Sequence, residues 1–287
     1  MNIQKAHKEA RKRFLADPTK CYQRHIRELW AEVEQRPQLV SLSDARVERI
    51  TREQAASIIL KYEWLAGDPR NKQPMGSGAR AFYGLLLNGE LLGASCMGQI
   101  GAGIGNICGK YLKKTAYIMR GACVPHAPKN AGSFLTRYAC KMAQQDFGWK
   151  VFFAYSDTHD ASEMGTIYQA CGWFYLGEGL GRPSGSTHLD FLSPNKDEII
   201  TSYMLNHGTA DERIKALGWN GRKGMKRATL HKRGWTVLKR FGKKKWAWFE
   251  GSPEEKMKMA EACRVHLKIT KTAWPLPYPK RRQHDNG

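Results

Sequence analysis

Asp157 stands two residues past Tyr155, at the end of the apolar run Val151 to Tyr155, and Tyr168 follows a short way on. A carboxylate at the carboxyl end of a covered strand lies where open α/β sheets place their sites. There it can hydrogen-bond an amine and act as a general base, an effect typically worth about 10²- to 10⁴-fold. Tyr168 could stack on a flat ring or donate a proton, and Tyr155 could share that work. Glu63 and Trp64, at the end of a helical pattern, offer a second carboxylate and a stacking surface. Each has a plainer reading. Asp157 would cap the turn after the strand, Tyr155 and Tyr168 would be core aromatics, and Glu63 and Trp64 a salt bridge and a packed indole.

A second set of residues suits an anion. After the strand Thr115 to Val124 the chain runs Val124-Pro-His-Ala-Pro-Lys-Asn-Ala-Gly-Ser133 into a helix. A helix N-terminus presents free amides and the positive end of the dipole, with Lys129 nearby. Val124, Lys129, Asn130, Gly132 and Ser133 are the candidate anion-binding positions; alternatively Asn130 and Ser133 only cap the helix. The glycine-dense stretch Gly98 to Gly105 does not have the dinucleotide spacing and reads as a loop.

Charge is concentrated. The chain carries 47 Lys and Arg against 26 Asp and Glu, net +21. Residues 51–200 hold 15 basic and 12 acidic side chains, whereas residues 211–245 hold 13 and 2. The basic stretch is interleaved with Trp219, Trp235 and Phe241 and followed by Trp246 and Trp248. Cations meet phosphates and rings stack on bases, so the pattern predicts a nucleic-acid surface. Its phosphate contacts would be Arg222, Lys223, Lys226, Arg227, Lys232, Arg233, Lys239, Arg240, Lys243, Lys244 and Lys245.

The elements that must position these residues can be read from periodicity. Two amphipathic helices fill residues 1 to 36, separated by Asp17-Pro18, and a weak strand spans Ala45 to Ile50. Thr51 with Gln54 opens a helix as a capping box, and Asn88-Gly89 joins two strands across Ala81 to Met97. A strand from Thr115 to Val124 leads into a helix with Phe134, Leu135, Tyr138, Ala139 and Met142 on its apolar face. The strand Val151 to Tyr155, a short helix from Met164 to Cys171 and a strand from Trp173 to Leu176 follow. Farther on, the pattern predicts an edge strand at Thr187 to Leu192, helices at 211–217 and 224–231, and a hairpin from Trp235 to Phe249 turning at Gly242. A basic Pro-rich tail from Trp274 is expected to be disordered.

This alternation predicts an α/β protein with a mixed, mostly antiparallel sheet flanked by helices. Its expected divisions are an N-terminal helical extension (1–40), a catalytic domain (41–200), a basic segment completing that domain (201–252), and a C-terminal helix and tail (253–287). No apolar run approaches the roughly 18 residues of a membrane helix, and Met1 to Arg24 is charged throughout. A cytoplasmic site of action is expected. The 7 cysteines include no Cys-x-x-Cys pair, which predicts reduced, buried thiols and gives no clean metal ligand set.

The order of elements resembles the GNAT superfamily of N-acetyltransferases, which implies acetyl-coenzyme A or a related donor, its pyrophosphate on the loop Val124 to Ser133. A closer resemblance is local. Tyr62-Glu-Trp-Leu65, Arg120-Gly-Ala-Cys-Val124, Ala154-Tyr-Ser-Asp157 and Gly165-Thr-Ile-Tyr-Gln-Ala-Cys-Gly-Trp173, followed by the basic aromatic segment, look like the Mom family of phage DNA-modification proteins. The resemblance implies an enzyme, encoded by a phage or prophage and working in a bacterial host, that modifies the exocyclic amine of adenine in double-stranded DNA. Its implied product is a carbamoylmethyl group that blocks restriction. Asp157 and Tyr168 match the shared motifs, whereas Glu63-Trp64 stands where a His-Tyr pair is expected. Such a product also implies a cofactor or metal beyond an acetyl donor. The chain leaves open whether it acts alone or as a homodimer.

Two other readings share this fold. One is an ordinary N-acetyltransferase acting on a small amine or a protein; the other is a non-catalytic nucleic-acid-binding protein.

Overall fold

The structure is a computed structural model that describes residues 1–17, 19–64, 74–76, 78–99, 111, 113–157, 162–178, 189–194, 199–201, 227–239 and 243–279. It divides into two compact units, residues 1–181 with 243–287, and residues 182–242.

The first unit begins with two helices, α1 (Ile3–Ala16) and α2 (Tyr22–Glu34), either side of the Asp17-Pro18 break. Strand β1 (Arg46–Arg49) precedes α3 (Arg52–Tyr62), and Thr51 and Gln54 form both halves of the capping box. Strands β2 (Ala79–Leu87) and β3 (Glu90–Gln99) form the expected hairpin. Asn88 and Gly89 have φ of 51° and 80°, the left-handed pair that a twisted two-residue hairpin turn demands. Then come β4 (Thr115–Cys123), α4 (Ala131–Phe147), β5 (Val151–Ser156), α5 (Thr166–Ala170) and β6 (Phe174–Glu178).

The second unit contributes β7 (Leu189–Leu192), β8 (Ile199–Thr201), α6 (Arg227–Lys232) and β9 (Thr236–Lys239). The chain returns to the first unit with β10 (Lys244–Phe249) and α7 (Pro253–His266).

The first unit is built on a seven-stranded sheet in the order β1-β2-β3-β4-β5-β10-β6. Every pairing in it is antiparallel except β4 with β5. The fold class is therefore the mixed, mostly antiparallel sheet with flanking helices that the sequence predicts. Among the described residues no helix is long and apolar enough to cross a membrane.

Several expectations need correction. Trp235 to Phe249 is not a hairpin: β9 pairs with β7 in a separate three-stranded sheet, while β10 lies between β5 and β6. Periodicity shows that a segment is extended but not which sheet takes it. For the same reason β7 is central rather than an edge, flanked by β8 and β9. The buried face of α4 is Leu135, Thr136, Ala139, Cys140 and Ala143, and Tyr138 is exposed. The start of the tail, expected to be disordered, packs on β6: Trp274 stacks on Phe174 at 5.2 Å, and Leu276 bridges Tyr175. Cys263, buried in α7, is engaged in a disulfide, against the expectation of reduced thiols throughout. The predicted helix at 211–217 and residues 100–110 of the glycine-dense stretch lie outside the described residues.

Candidate functional site

Two features of the sheet bring the polar residues together. Parallel pairing of β4 with β5 covers only Thr115 to Tyr117 against Val151 to Phe153, although β4 continues to Cys123 and β5 to Ser156. The two strands part toward their carboxyl ends. In addition, Arg120 faces Cys96 and Ile118 faces Met97 across β3 and β4, leaving Met119 as an extra residue. A bulge of one residue resets the alternation, so Tyr117 and Arg120 fall on the same face of the sheet. Tyr117 pairs with Phe153, and Tyr155 follows on that face.

Asp157 continues this row. It is 6% exposed, and its Oδ2 lies 3.4 Å from Nζ of Lys243, which immediately precedes β10. The pairing of Lys244 with Ser156 sets these two residues opposite each other. The Asp157 carbonyl accepts the Glu163 N–H at 2.8 Å. The Asp157 carboxylate is buried and paired with a cation.

Tyr155 packs edge-on against Tyr117, ring centroids 5.5 Å apart. Burial raises both phenols, Tyr117 to about 12 with Arg120 opposing the shift. Arg120 Nε lies 3.8 Å from Oε2 of Glu63, the residue that closes α3, and also donates to the Pro74 carbonyl at 3.2 Å. Glu63 is thus the buried half of an ion pair, facing the same gap.

Glu163 completes the group. Burial takes its carboxyl up to about 8, and the charges of Glu63 and Asp157 push the same way. Arg120 is beside Glu63 and Lys243 beside Asp157, and Glu163, raised to about 8 chiefly by burial, holds its proton at neutral pH. The Tyr168 phenol is raised by burial first and then by the charge of Glu163.

The rings do less than their sequence pattern suggests. Tyr168 packs on Trp173 and Trp246, with centroids at 5.0 and 5.8 Å, so its ring faces are taken by the core. Trp64 packs against Tyr22 of α2 at 5.8 Å, and its backbone N–H donates to Gln23 Oε1. Gly165, φ +70°, lies so close to Trp246 that a Cβ there would stand 2.4 Å from the indole.

The expected anion loop is largely buried from Val124 to Pro128, while Lys129 and Asn130 are exposed. Asn130 is the N-cap of α4, yet its side chain makes no capping bond. The Ser133 hydroxyl donates to the Asn130 carbonyl at 2.9 Å. First-turn amides, including those of Gly132 and Ser133, are therefore not used up by a cap side chain.

The basic segment is corrected in part. Lys244 and Lys245 are buried on β10, 6% and 4% exposed, and do not present to solvent. Lys244 pairs with Glu178. Trp235 and Trp246 are core residues, and Trp248 donates to Glu250 at 2.6 Å. Lys232 and Arg233 are exposed at the end of α6. The side chains of Arg222, Lys223, Lys226, Arg227, Lys239 and Arg240, with Trp219 and Phe241, lie outside the described residues. Among the described residues of the segment, Lys232, Arg233 and Lys243 are the exposed predicted contacts.

Tyr117, Arg120 and Glu163 were not singled out from sequence. Arg120 carried a signal: a lone cation in a strand otherwise filled by Ala116, Ile118 and Ala122 asks for a buried carboxylate. Glu163 carried none, because its proton depends on neighbours from α3 and β5. Among the described residues no group of three or more His, Cys, Asp or Glu is arranged to hold a metal ion.

Comparison with known proteins gives one family and several solved structures. The model of the Mom protein family matches residues 44–236. No curated protein matches the chain. An IAA acetyltransferase from Bacillus cereus is 15% identical, with 72% of this chain and 99% of that one covered and a TM-score of 0.38. A Bacillus subtilis acetyltransferase in complex with CoA is 12% identical, with 72% and 99% covered and a TM-score of 0.38. A spermidine N-acetyltransferase from Vibrio cholerae, in complex with CoA and spermine, is 11% identical, with 76% and 98% covered and a TM-score of 0.35. All three TM-scores lie below 0.5, and the fold class rests instead on the strand order described above.

Proposed function

The chain belongs to the Mom protein family, and from that premise we propose that it is a transferase modifying the exocyclic amine of adenine in phage DNA. The observation that carries this reading is the polar row where β4 and β5 part: a buried Asp157 paired with Lys243, beside a Glu163 whose carboxyl is raised to about 8.

The adenine amine is a weak nucleophile because its lone pair is delocalised into the ring. A carboxylate that accepts a hydrogen bond from it, and takes its proton as the new bond forms, removes that handicap. Asp157 has the chemistry of this base, and Lys243 holds it in place. Glu163 and the Tyr168 phenol are kept protonated and can donate to a developing negative charge. A base inside a duplex cannot reach such a gap, so the nucleotide must be flipped at a cost of a few kcal/mol. Contacts from the exposed cations to the DNA backbone offset that cost.

A coenzyme A-type donor would be held by the amides of Gly132 and Ser133 at the α4 N-terminus, with Lys129 and Asn130 alongside Val124, and would supply the activated acyl group. The uncapped first turn of α4 fits an anion there. The carbamoylmethyl product implied by the family is joined through the methyl carbon and carries an extra nitrogen, so acyl transfer through the carbonyl does not give it: a nitrogen source and a two-electron oxidant would have to act together with the donor. The modified DNA would resist restriction in a bacterial host.

One observation favours a second reading, transfer to a small cationic amine. Glu163 lies near enough to Glu63 and Asp157 for their charges to raise its carboxyl, and a cationic amine entering beside it would draw off that proton and pair with the carboxylate.

The test is to express the protein in bacteria, digest the DNA to nucleosides and measure deoxyadenosine by mass spectrometry. The expected gain is two carbons, three hydrogens, one nitrogen and one oxygen. Unmodified DNA from soluble protein, with acetylation of a polyamine in vitro, would establish the second reading instead.

A further inference from the structure

The loop before α4 owes its shape to a part of the chain that lies ahead of the family match, which begins at residue 44. Its carbonyls are taken one after another. Arg27 of α2 donates through Nη2 to Pro125 O at 3.0 Å and to Ala127 O at 3.4 Å. Gln38 Nε2 donates to His126 O at 2.9 Å and Ala127 O at 2.6 Å, and the Leu39 N–H donates to His126 O at 2.8 Å. The His126 ring meets Glu90 Oε1 at 3.2 Å, and Arg36 grips both oxygens of the same carboxylate.

Three consecutive carbonyls are thus bonded to residues 27–39, and the loop's one ionisable side chain is tied to the β2–β3 hairpin end through Glu90. Pro125 and Pro128 carry no N–H, so these residues have few backbone bonds of their own with which to fix the loop. Leaving a buried carbonyl without a partner is costly, which makes the outside donors decisive for which conformation the loop adopts.

We propose that Arg27 and Gln38 are positioning residues that hold the loop Val124–Pro128 in the shape that presents the α4 N-terminus to the donor's anionic group. This rests on the reading of that helix end as the donor site, and deepens it. The N-terminal extension then acts as a fixed clamp on the site. An ordinary helical cap on the domain would need no bonds to these particular carbonyls.

The experiment uses the full chain with Arg27→Ala and Gln38→Ala combined, alongside Arg27→Lys, which keeps one charged donor. Deuterium uptake across Val124–Asn130 is expected to rise about tenfold in the double variant, while uptake in β2, β3 and β5 stays as in the wild type. Coenzyme A, titrated by calorimetry, is expected to bind about tenfold more weakly, with Arg27→Lys recovering part of the loss. Unchanged uptake in the loop overturns the proposal, as does a rise spread evenly over the whole sheet. If the wild type does not bind coenzyme A while loop uptake still rises in the double variant, the clamp stands and the donor reading falls.

Discussion

The ammonium of Lys243 and the carboxylate of Asp157 stand 3.4 Å apart, one just ahead of β10 and the other just past β5. They meet only because β10 inserts between β5 and β6, so the residue that fixes the proposed base comes from 86 positions away (243 − 157).

Asp157→Asn keeps the size and hydrogen-bonding surface of the side chain but cannot accept the amine proton. Modification in cells is expected to fall by about 10²- to 10⁴-fold, read as modified deoxyadenosine per total by mass spectrometry, with the circular dichroism spectrum unchanged. Full modification by this variant would remove Asp157 from the reaction.

Glu163 has its carboxyl raised from the ordinary 4.5 to about 8, so the folded state binds this proton more tightly than the unfolded chain. Its contribution to stability is complete below 4.5 and is lost as pH rises through about 8. Glu163→Gln is expected to gain thermal stability over the wild type across that window, with little difference at pH 4. A melting-temperature difference that is flat between pH 4 and 9 would contradict this account.

Lys245 is 4% exposed, and burial lowers its pKa from the ordinary 10.5. Lys245→Met keeps the linear shape and removes the desolvated charge. A rise in melting temperature of about 2–4 °C at pH 7 is expected, on the scale of 1 kcal/mol in a domain of this size. Because the folded state favours the neutral amine, the gain should shrink as pH climbs toward 10.5. Destabilisation would mean that the amine has a function worth its burial.

Gly165→Ala meets two obstacles, a backbone φ of +70° and a Cβ position 2.4 Å from the Trp246 indole. Strain in the left-handed region and overpacking together are expected to cost roughly 2–5 kcal/mol. Chemical denaturation would show it, and because Trp246 also donates to Ser156 beside Asp157, activity should fall with stability.

Binding to duplex DNA is expected to weaken with salt, with a log-log slope of about −5 if roughly six phosphates are neutralised. Lys232→Ala with Arg233→Ala should reduce that slope by about 2, whereas Lys244→Met should leave it unchanged, since Lys244 is buried against Glu178. Fluorescence anisotropy over a salt series measures both.

Much of the frame was legible in the residues themselves. The capping box at Thr51 and Gln54, the Asn88-Gly89 turn and the apolar run before Asp157 are local signals, because each depends on bonds between near neighbours in the chain. Local rules also placed Asp157 at a strand end. They failed for β9 and β10, where two adjacent extended segments went to different sheets, and for Trp235 and Trp246, which pack inside.

Sequence alone determined the elements, their order and the concentration of positive charge, since these follow from periodicity, turn chemistry and composition. The tertiary structure decided which charges meet. The extra residue at Met119 turned Arg120 toward Glu63, the insertion of β10 gave Asp157 its lysine, and burial beside Glu63 and Asp157 left Glu163 with a proton. Such facts are set by burial and by distances of a few ångströms between distant segments, and electrostatic energy in a desolvated site depends on those distances far more than on the spacing of letters.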